Sequence, residues 1–314
     1  QAVETFRGLL SGVIKDNPFL FKGVLTGILR VAKESIFSDL NNVDVYSLLQ
    51  PRYAPYFGFT EAEVEGLALR AGFTGSIDEL REWYNGYQFG DTVIYNPWSV
   101  ISALASGTCQ PYWVNTSSND LIRDLLLRAT GEQHRELATL AADGAIHKEI
   151  TESVDLRAIH RDPGALWSLL LFSGYLSARA VRQEDDASFT GELSIPNREL
   201  RSVFSGLFKN WLSVGLGGQR QVDEMTHALL QGDVTRFELH LSRLLVESAS
   251  TMDTAAAGRM PPEQLYHVFL LGLLLYLQPH YLVRSNRESG FGRADVLIVP
   301  REPGKPGVVL ELKV

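Results

Sequence analysis

The stretch RADVLIVPREPGKPGVVLELKV, residues 293–314, decides how the chain is read. Two apolar runs, Arg293–Val299 and Val308–Val314, flank a connection rich in proline and glycine, which is the pattern of two strands joined by a turn. Strand side chains alternate between faces, so Glu311 and Lys313 share one face while Leu310, Leu312 and Val314 take the other. Asp295 interrupts the first run. A carboxylate buried there without a partner costs several kcal/mol. Two carboxylates brought together repel one another unless a cation lies between them. A hard ion such as Mg²⁺ or Mn²⁺ prefers oxygen ligands, typically one or two carboxylates plus water and phosphate. Asp295, Glu311 and the carbonyl of Leu312 offer that set, with Lys313 beside the water or the phosphate. The combination suits phosphodiester hydrolysis, in which a metal lowers the pKa of bound water and a lysine stabilises developing negative charge. A plainer account uses the same residues. Glu311 and Lys313 form the wet face of an edge strand, and Asp295 pairs with Arg293 or Lys313.

Working outward, Tyr281–Ser285 reads as a third strand, and NRESGFG (286–292) as the turn after it, so that the three strands form an antiparallel meander. Arg284 and Arg293 flank the carboxylates and are candidates for phosphate contacts. Residues 262–277 read as a helix. Its apolar stretch, Leu265–Leu277, has 13 residues and contains His267. A membrane span needs about 20 residues, so this is a core helix. Glu263 and His267 lie four apart on one of its faces, which could approach the metal or equally hold a core histidine bonded to a carboxylate. Ser250–Met260, rich in small residues, is the linker candidate.

Further upstream, Thr60 with Glu63 and Ser76 with Glu79 are capping-box pairs opening helices over 60–70 and 76–83. Asn96-Pro97 is an N-cap followed by proline at the first helical position. Helices are expected over 2–16, 118–128, 131–142, 163–173, 198–212, 222–231 and 234–249. Gly174 stands where a helix C′ residue belongs. Strands are expected over 19–26, 175–181 and 189–195, the last two joined through the acidic loop RQEDDAS.

The 314 residues suffice for two or three domains. Hydrophobic residues make up 45% and charged residues 21%, which is ordinary for a globular core. The 37 acidic against 29 basic residues give a net charge of −8, which argues against a generally basic surface but not against a local basic groove. With one cysteine, Cys109, no intrachain disulfide can form, and a reducing cytoplasm is the expected compartment. No signal peptide is visible at Gln1. The chain opens on a helical pattern without an initiator Met and stops inside a strand pattern, so it reads as a piece of a longer protein.

The run SNRESGFGRADVLIVPREPGKPGVVLELKV (285–314) resembles the PD-(D/E)XK nuclease domain that follows an AAA-ATPase-like domain in a large family of prokaryotic proteins. There a GR-x-D strand precedes an E-L-K strand, as Asp295 and Glu311-Leu312-Lys313 do here. PEQLYHVFLLGLL (262–274), LTGILRVAKESIFSDLNN (25–42), EWYNGYQFGDTVIYNPWSV (82–100), YWVNTSSN (112–119) and SGYLS (173–177) resemble the same family in order. The resemblance implies an α/β protein in three parts. Residues 1–58 are the tail of a P-loop ATPase-like domain, 59–250 a mainly helical middle domain, and 251–314 a truncated restriction-endonuclease-like core. It implies Mg²⁺- or Mn²⁺-dependent cleavage of nucleic acid, DNA foremost, with Asp295 and Glu311 holding the metal, Lys313 assisting, and Glu263 as a further ligand or second-sphere residue. ATP enters only in the intact protein, since no G-x-x-x-x-G-K-[ST] occurs here. Segment 19–26 would be a late ATPase strand ending at Thr26, with Arg30 facing the nucleotide of the intact protein, although in this chain a plain buried strand with a satisfied Thr26 is the expected role. No membrane partner is implied. The rival reading is a non-catalytic platform for nucleic acid or protein that kept the nuclease fold.

The aromatic residues Trp83, Tyr84, Tyr87, Tyr95, Trp98, Tyr112 and Trp113 could stack bases. Core packing is the expected role, with hydroxyls and indole N–H groups bonded to backbone. Cys109 lacks a nearby His–Asp pattern and reads as inert.

Overall fold

Residues 5, 8–9, 12–14, 17–27, 30–31, 44–113, 131–141, 143–154, 163–186, 188–215, 218–252, 277, 281–289 and 292–311 are described by a computed structural model. They form a mixture of helix and sheet, and no helix among them is long and apolar enough to cross a membrane. The chain divides into two compact units, one of residues 1–113 and 147–198, the other of 114–146 and 199–314.

In the first unit, α1 (Glu61–Ala71), α2 (Ile77–Tyr84) and α3 (Pro97–Ser106) surround a hairpin of β2 (Tyr87–Phe89) and β3 (Thr92–Ile94). Local chemistry fixes the helix ends. The Glu63 carboxylate accepts from the Thr60 N–H and hydroxyl, both at 2.8 Å. Ser76 caps α2 by accepting from Asp78 N–H at 3.1 Å, and Asn96 caps α3 by accepting from Ser99 N–H at 3.3 Å. Apolar residues at helical spacing then meet: Val64 and Ala68, Leu80 and Tyr84, Val100 and Ala103 bury together with Tyr95.

The helix α5 (Pro163–Phe172) follows a different rule. Residues 165–171 are all buried, as befits a helix apolar all round. It ends at Gly174, whose φ of 80° is in the left-handed region. The bonds Gly174 N–H to Leu171 O (3.0 Å) and Tyr175 N–H to Leu170 O (2.8 Å) form the Schellman pair. Antiparallel β6 (Ser177–Gln183) and β7 (Phe189–Ser194) follow, and β4 (Ile146–Ile150) flanks β7 on its other side. A short parallel pair joins β1 (Arg30–Val31) to β5 (Ser153–Val154).

The second unit contains α4 (Gly131–Ala141), most of α6 (Arg198–Gly215), α7 (Gln219–Gln231) and α8 (Val234–Met252). Val222, Met225 and Leu229 form the buried stripe of α7. The terminal sheet consists of β8 (Tyr281–Ser289), β9 (Gly292–Pro300) and β10 (Val308–Leu310), ordered β10-β9-β8 and antiparallel throughout, the meander read from the sequence.

Several expectations need correction. Residues 19–26 are irregular chain, with Phe19 94% and Phe21 101% exposed. A strand needs a pairing neighbour, and Asn17 instead closes a local turn by accepting from Phe19 N–H at 3.0 Å. Ser250–Met252 continue α8 rather than beginning a linker. The middle of the chain holds more sheet than expected. The strands β2 to β5 are short, and β4 (IHKEI) carries three polar residues, so only their neighbours identify them. In the terminal sheet the expected turn over 286–292 is mostly strand, since β8 runs to Ser289 and pairs there with Gly292. At the other end β10 stops at Leu310. The helix expected over 118–128 and most of that over 262–277 lie outside the described residues, although Leu277 is helical and buried.

Candidate metal centre

The backbone register of the terminal sheet decides which candidate residues come together. β10 lies against β9 with Val308 opposite Ile298, Val309 opposite Leu297 and Leu310 opposite Val296. β10 ends at Leu310, and the same register continued by one residue would set Glu311 opposite Asp295. On the other flank the β8–β9 pairs run from Tyr281–Pro300 to Ser289–Gly292 in one unbroken register. Between the pairs Ser285–Val296 and Arg287–Ala294, Asn286 falls opposite Asp295. By backbone register Asn286 and Asp295 therefore occupy opposed positions, and Glu311 follows the last β10 pair. Directly opposed residues on antiparallel strands have Cβ atoms about 4.5–5.5 Å apart.

Alternation sorts the rest. Ile298 is fully buried and Tyr281, opposite Pro300, is 5% exposed, so the 294–296–298–300 side is the covered face. Val299 is 37% exposed, Val309 60%, and Glu311 is exposed, so the 293–295–297–299 side is the open face. By backbone register Arg284, Arg293 and Asp295 stand at positions in step with Val299, and Glu311, past the end of β10, is exposed. Glu288 lies opposite Arg293, whereas Arg284 lies opposite Leu297.

The remaining candidates, Glu263, His267, Leu312 and Lys313, lie outside the described residues, as do the side chains of Arg284, Arg293 and Asp295. Among the described residues no three His, Cys, Asp or Glu gather into a metal-binding group. Sequence reading passes over Asn286 and Glu288 because the glycine and serine around them suggest a turn. The strand pattern of Tyr281–Ser285, continued past Ser285, is the signal that finds them.

The aromatic run divides. Tyr84 and Tyr95 are buried core residues. The Tyr84 hydroxyl donates to Gln110 O and accepts from Gln110 N–H, each at 2.9 Å. The Tyr95 hydroxyl donates to Glu61 at 2.6 Å, and burial followed by that bond pushes its pKa up. Arg81 bonds the same Glu61 carboxylate at 2.6 Å and holds its pKa down, against the opposing effect of burial. Trp98, by contrast, is exposed. Burial pushes the Cys109 thiol up to about 11, which leaves little thiolate and fits an inert cysteine.

Among known proteins, an uncharacterized protein in the vnfD 5' region of Azotobacter chroococcum mcd 1 is 28% identical over 226 residues, 71% of this chain and 42% of its own length. The matched part of this chain thus spans less than half of that relative. No family model and no solved structure matches the chain.

Proposed function

We propose that the terminal sheet is the core of a PD-(D/E)XK nuclease-like domain that hydrolyses phosphodiester bonds of nucleic acid, DNA foremost, in the cytoplasm. The chain would be part of an ATPase–nuclease fusion, with ATP acting in the portion that carries a P-loop. What supports this reading is the β9–β10 register, which, continued one residue past Leu310, would set Glu311 opposite Asp295. A charged pair of like sign in that arrangement is unfavourable by itself and becomes favourable around a divalent ion.

The donor chemistry fits Mg²⁺ or Mn²⁺. Asp295 and Glu311 are hard oxygen ligands, and the backbone carbonyl of Leu312 follows directly in sequence. When bound, such an ion activates water and neutralises charge on the phosphate. The chain's own residues have separate tasks: Asp295 and Glu311 bind, Glu263 supports the site, and Lys313 stabilises negative charge as the phosphate reacts.

The test is cleavage of a labelled DNA by the whole protein with Mg²⁺ or Mn²⁺. Asp295→Asn and Glu311→Gln should each remove most activity and weaken metal binding. Lys313→Ala should keep metal binding yet slow cleavage by roughly 10²–10³, the usual cost of one transition-state donor. Cleavage undiminished in all three variants sinks the assignment. A protein that neither cuts nor binds a divalent ion is instead a binding platform, the reading that the net charge of −8 favours.

A further inference from the structure

Exposed aromatic side chains crowd one turn of chain in the first unit. PRYAPYF (51–57) carries a 3₁₀ turn, Ala54–Tyr56, flanked by Tyr53 and Phe57. Tyr53 is 44% exposed, Tyr56 86% and Phe57 47%. Tyr53 and Tyr56 lie three residues apart, one turn of such a helix. The turn is well anchored. Ala54, its first residue, is fully buried, and Tyr56 N–H donates to Tyr53 O at 2.9 Å. Gly90 N–H, beside β2, donates to Leu48 O at 2.8 Å and ties the preceding chain to the hairpin. Phe57 stacks on Phe89 of β2 with ring centres 5.0 Å apart. Tyr53 holds a φ of 67°, a conformation that favours glycine. A residue serving only to turn the chain there would be glycine or asparagine, whereas tyrosine keeps a strained backbone and sets a ring on the surface.

The charge in this segment is a lone cation. Arg52 is the single charged residue between Asp44 and Glu61. Its guanidinium lies 5.2 Å from the ring centres of both Tyr46 and Tyr53, which meet edge to face. It is exposed, and no carboxylate pairs with it among the described residues. Glu152, a carboxylate that reaches the same segment, is engaged by the Ser47 hydroxyl at 2.6 Å and the Gln50 amide at 3.1 Å. Contact with ring faces uses none of the Arg52 N–H donors, so they remain for an anion.

The segment thus presents flat apolar rings together with an unpaired cation. Single-stranded nucleic acid complements both, since each of its units carries a flat ring and an anion. A proline-rich peptide brings no anion, and in a duplex the base faces are already stacked on one another. We propose that Tyr53, Tyr56 and Phe57 form a stacking platform for the bases of single-stranded nucleic acid, with Arg52 on a phosphate. The platform goes beyond the nuclease-like reading and needs none of the residues of the proposed metal centre.

The test is fluorescence anisotropy on the whole protein in EDTA, with fluorescein-labelled dT20 and a strand of the same length in which every site is abasic. Stacking requires wild-type protein to bind dT20 more tightly than the abasic strand by roughly ten-fold or more. Tyr56→Ala, at a surface position, should fold as wild type by circular dichroism. It should weaken dT20 binding by about five-fold, the lower end of what one stacked base contributes, and leave abasic binding within about two-fold. Arg52→Ala should weaken binding of both strands and lower the salt slope by about 0.7, one phosphate contact on a single strand. Tyr53→Gly and Tyr53→Ala should bind dT20 equally weakly, although glycine suits the left-handed backbone and gives the higher urea midpoint. A ring that served the fold alone would instead make binding follow stability.

Equal affinity for dT20 and the abasic strand overturns the platform, and so does dT20 binding by Tyr56→Ala as tight as by wild type. Wild-type protein that binds no dT20 overturns it as well, and binding to phosphatidylserine vesicles in that case makes the patch a lipid-facing one. The nuclease-like reading fails separately. Base-dependent binding that Tyr56→Ala loses, in a protein that takes up no Mg²⁺, leaves the platform and removes the metal centre. Mg²⁺-dependent cleavage with dT20 binding unchanged in Tyr56→Ala does the reverse.

Discussion

Gly86→Ala should be among the most damaging single-methyl additions in the first unit. Gly86 follows the last turn of α2 and leads into β2, with a φ of 101° that side chains rarely adopt. A Cβ built there would lie 2.2 Å from the Pro196 carbonyl oxygen and 3.0 Å from its carbon. Ordinary C···O approaches are about 3.3 Å or longer, so one segment must move by roughly 1 Å. That movement disturbs a local lock. Gly86 N–H donates to the Asn85 side-chain oxygen at 2.8 Å, and the Asn197 amide donates to Asn85 O at 3.0 Å. A left-handed backbone costs an L-residue about 1–2 kcal/mol, displacement of packed segments about 1–3, and one lost hydrogen bond about 1. The total is about 3–6 kcal/mol, a large part of the 5–15 kcal/mol typical of a domain. Urea unfolding should show it as a lowered midpoint with unchanged slope. Gly66→Ala is the matched control. Gly66 lies inside α1, where an added Cβ meets only the tip of Arg70 at 3.5 Å. That change should stabilise by about 0.5–1 kcal/mol, because alanine loses less backbone entropy in a helix. A cost below about 1 kcal/mol for Gly86→Ala, or the same sign for both variants, would refute the steric argument.

Two other substitutions test charge. The folded pKa of Glu61 is depressed chiefly by its bond to Arg81, so its contribution is present above the unfolded value of 4.5 and is lost as pH falls through the folded value. Glu61→Gln should therefore destabilise by about 1 kcal/mol near neutrality, a figure kept small because both partners are partly exposed. The difference should shrink as pH falls below 4.5, and a gap independent of pH would show that packing, not charge, is what the substitution removes. In the terminal sheet Glu311 is exposed, so Glu311→Gln should leave metal-free stability within about 0.5 kcal/mol of wild type. It should also abolish the stabilisation by Mg²⁺, about 2.7 kcal/mol at a hundred-fold excess over Kd in wild-type protein. Equal thermal shifts with Mg²⁺ in both proteins would remove Glu311 from the metal centre.

Local rules made much of the fold legible. Thr60–Glu63, Ser76, Asn96-Pro97 and Gly174 mark helix ends because caps act within one turn of chain, and each stands where its pattern placed it. The hairpin of β6 and β7 and the terminal meander were legible because their alternation and turn residues lie within short windows. Segment 19–26 misled for the converse reason. FLFKGVLT has the composition of a buried strand, but composition does not supply the neighbour that strand pairing requires.

By itself the sequence determined the chemistry on offer: carboxylates at 295 and 311, arginines at 284 and 293, a single cysteine, and helices bounded by their caps. Their assembly was a matter for tertiary structure. A strand pattern has period two whatever its register, and a shift of one residue would exchange the open and covered faces. Only the tertiary structure shows Leu310 opposite Val296, one step short of Glu311 and Asp295, and only there does β8 extend to Ser289 and carry Asn286 and Glu288 within the strand. Register depends on the packing of one whole face against its cover, an energy shared among residues far apart in the chain, and for that reason no short window of sequence contains it.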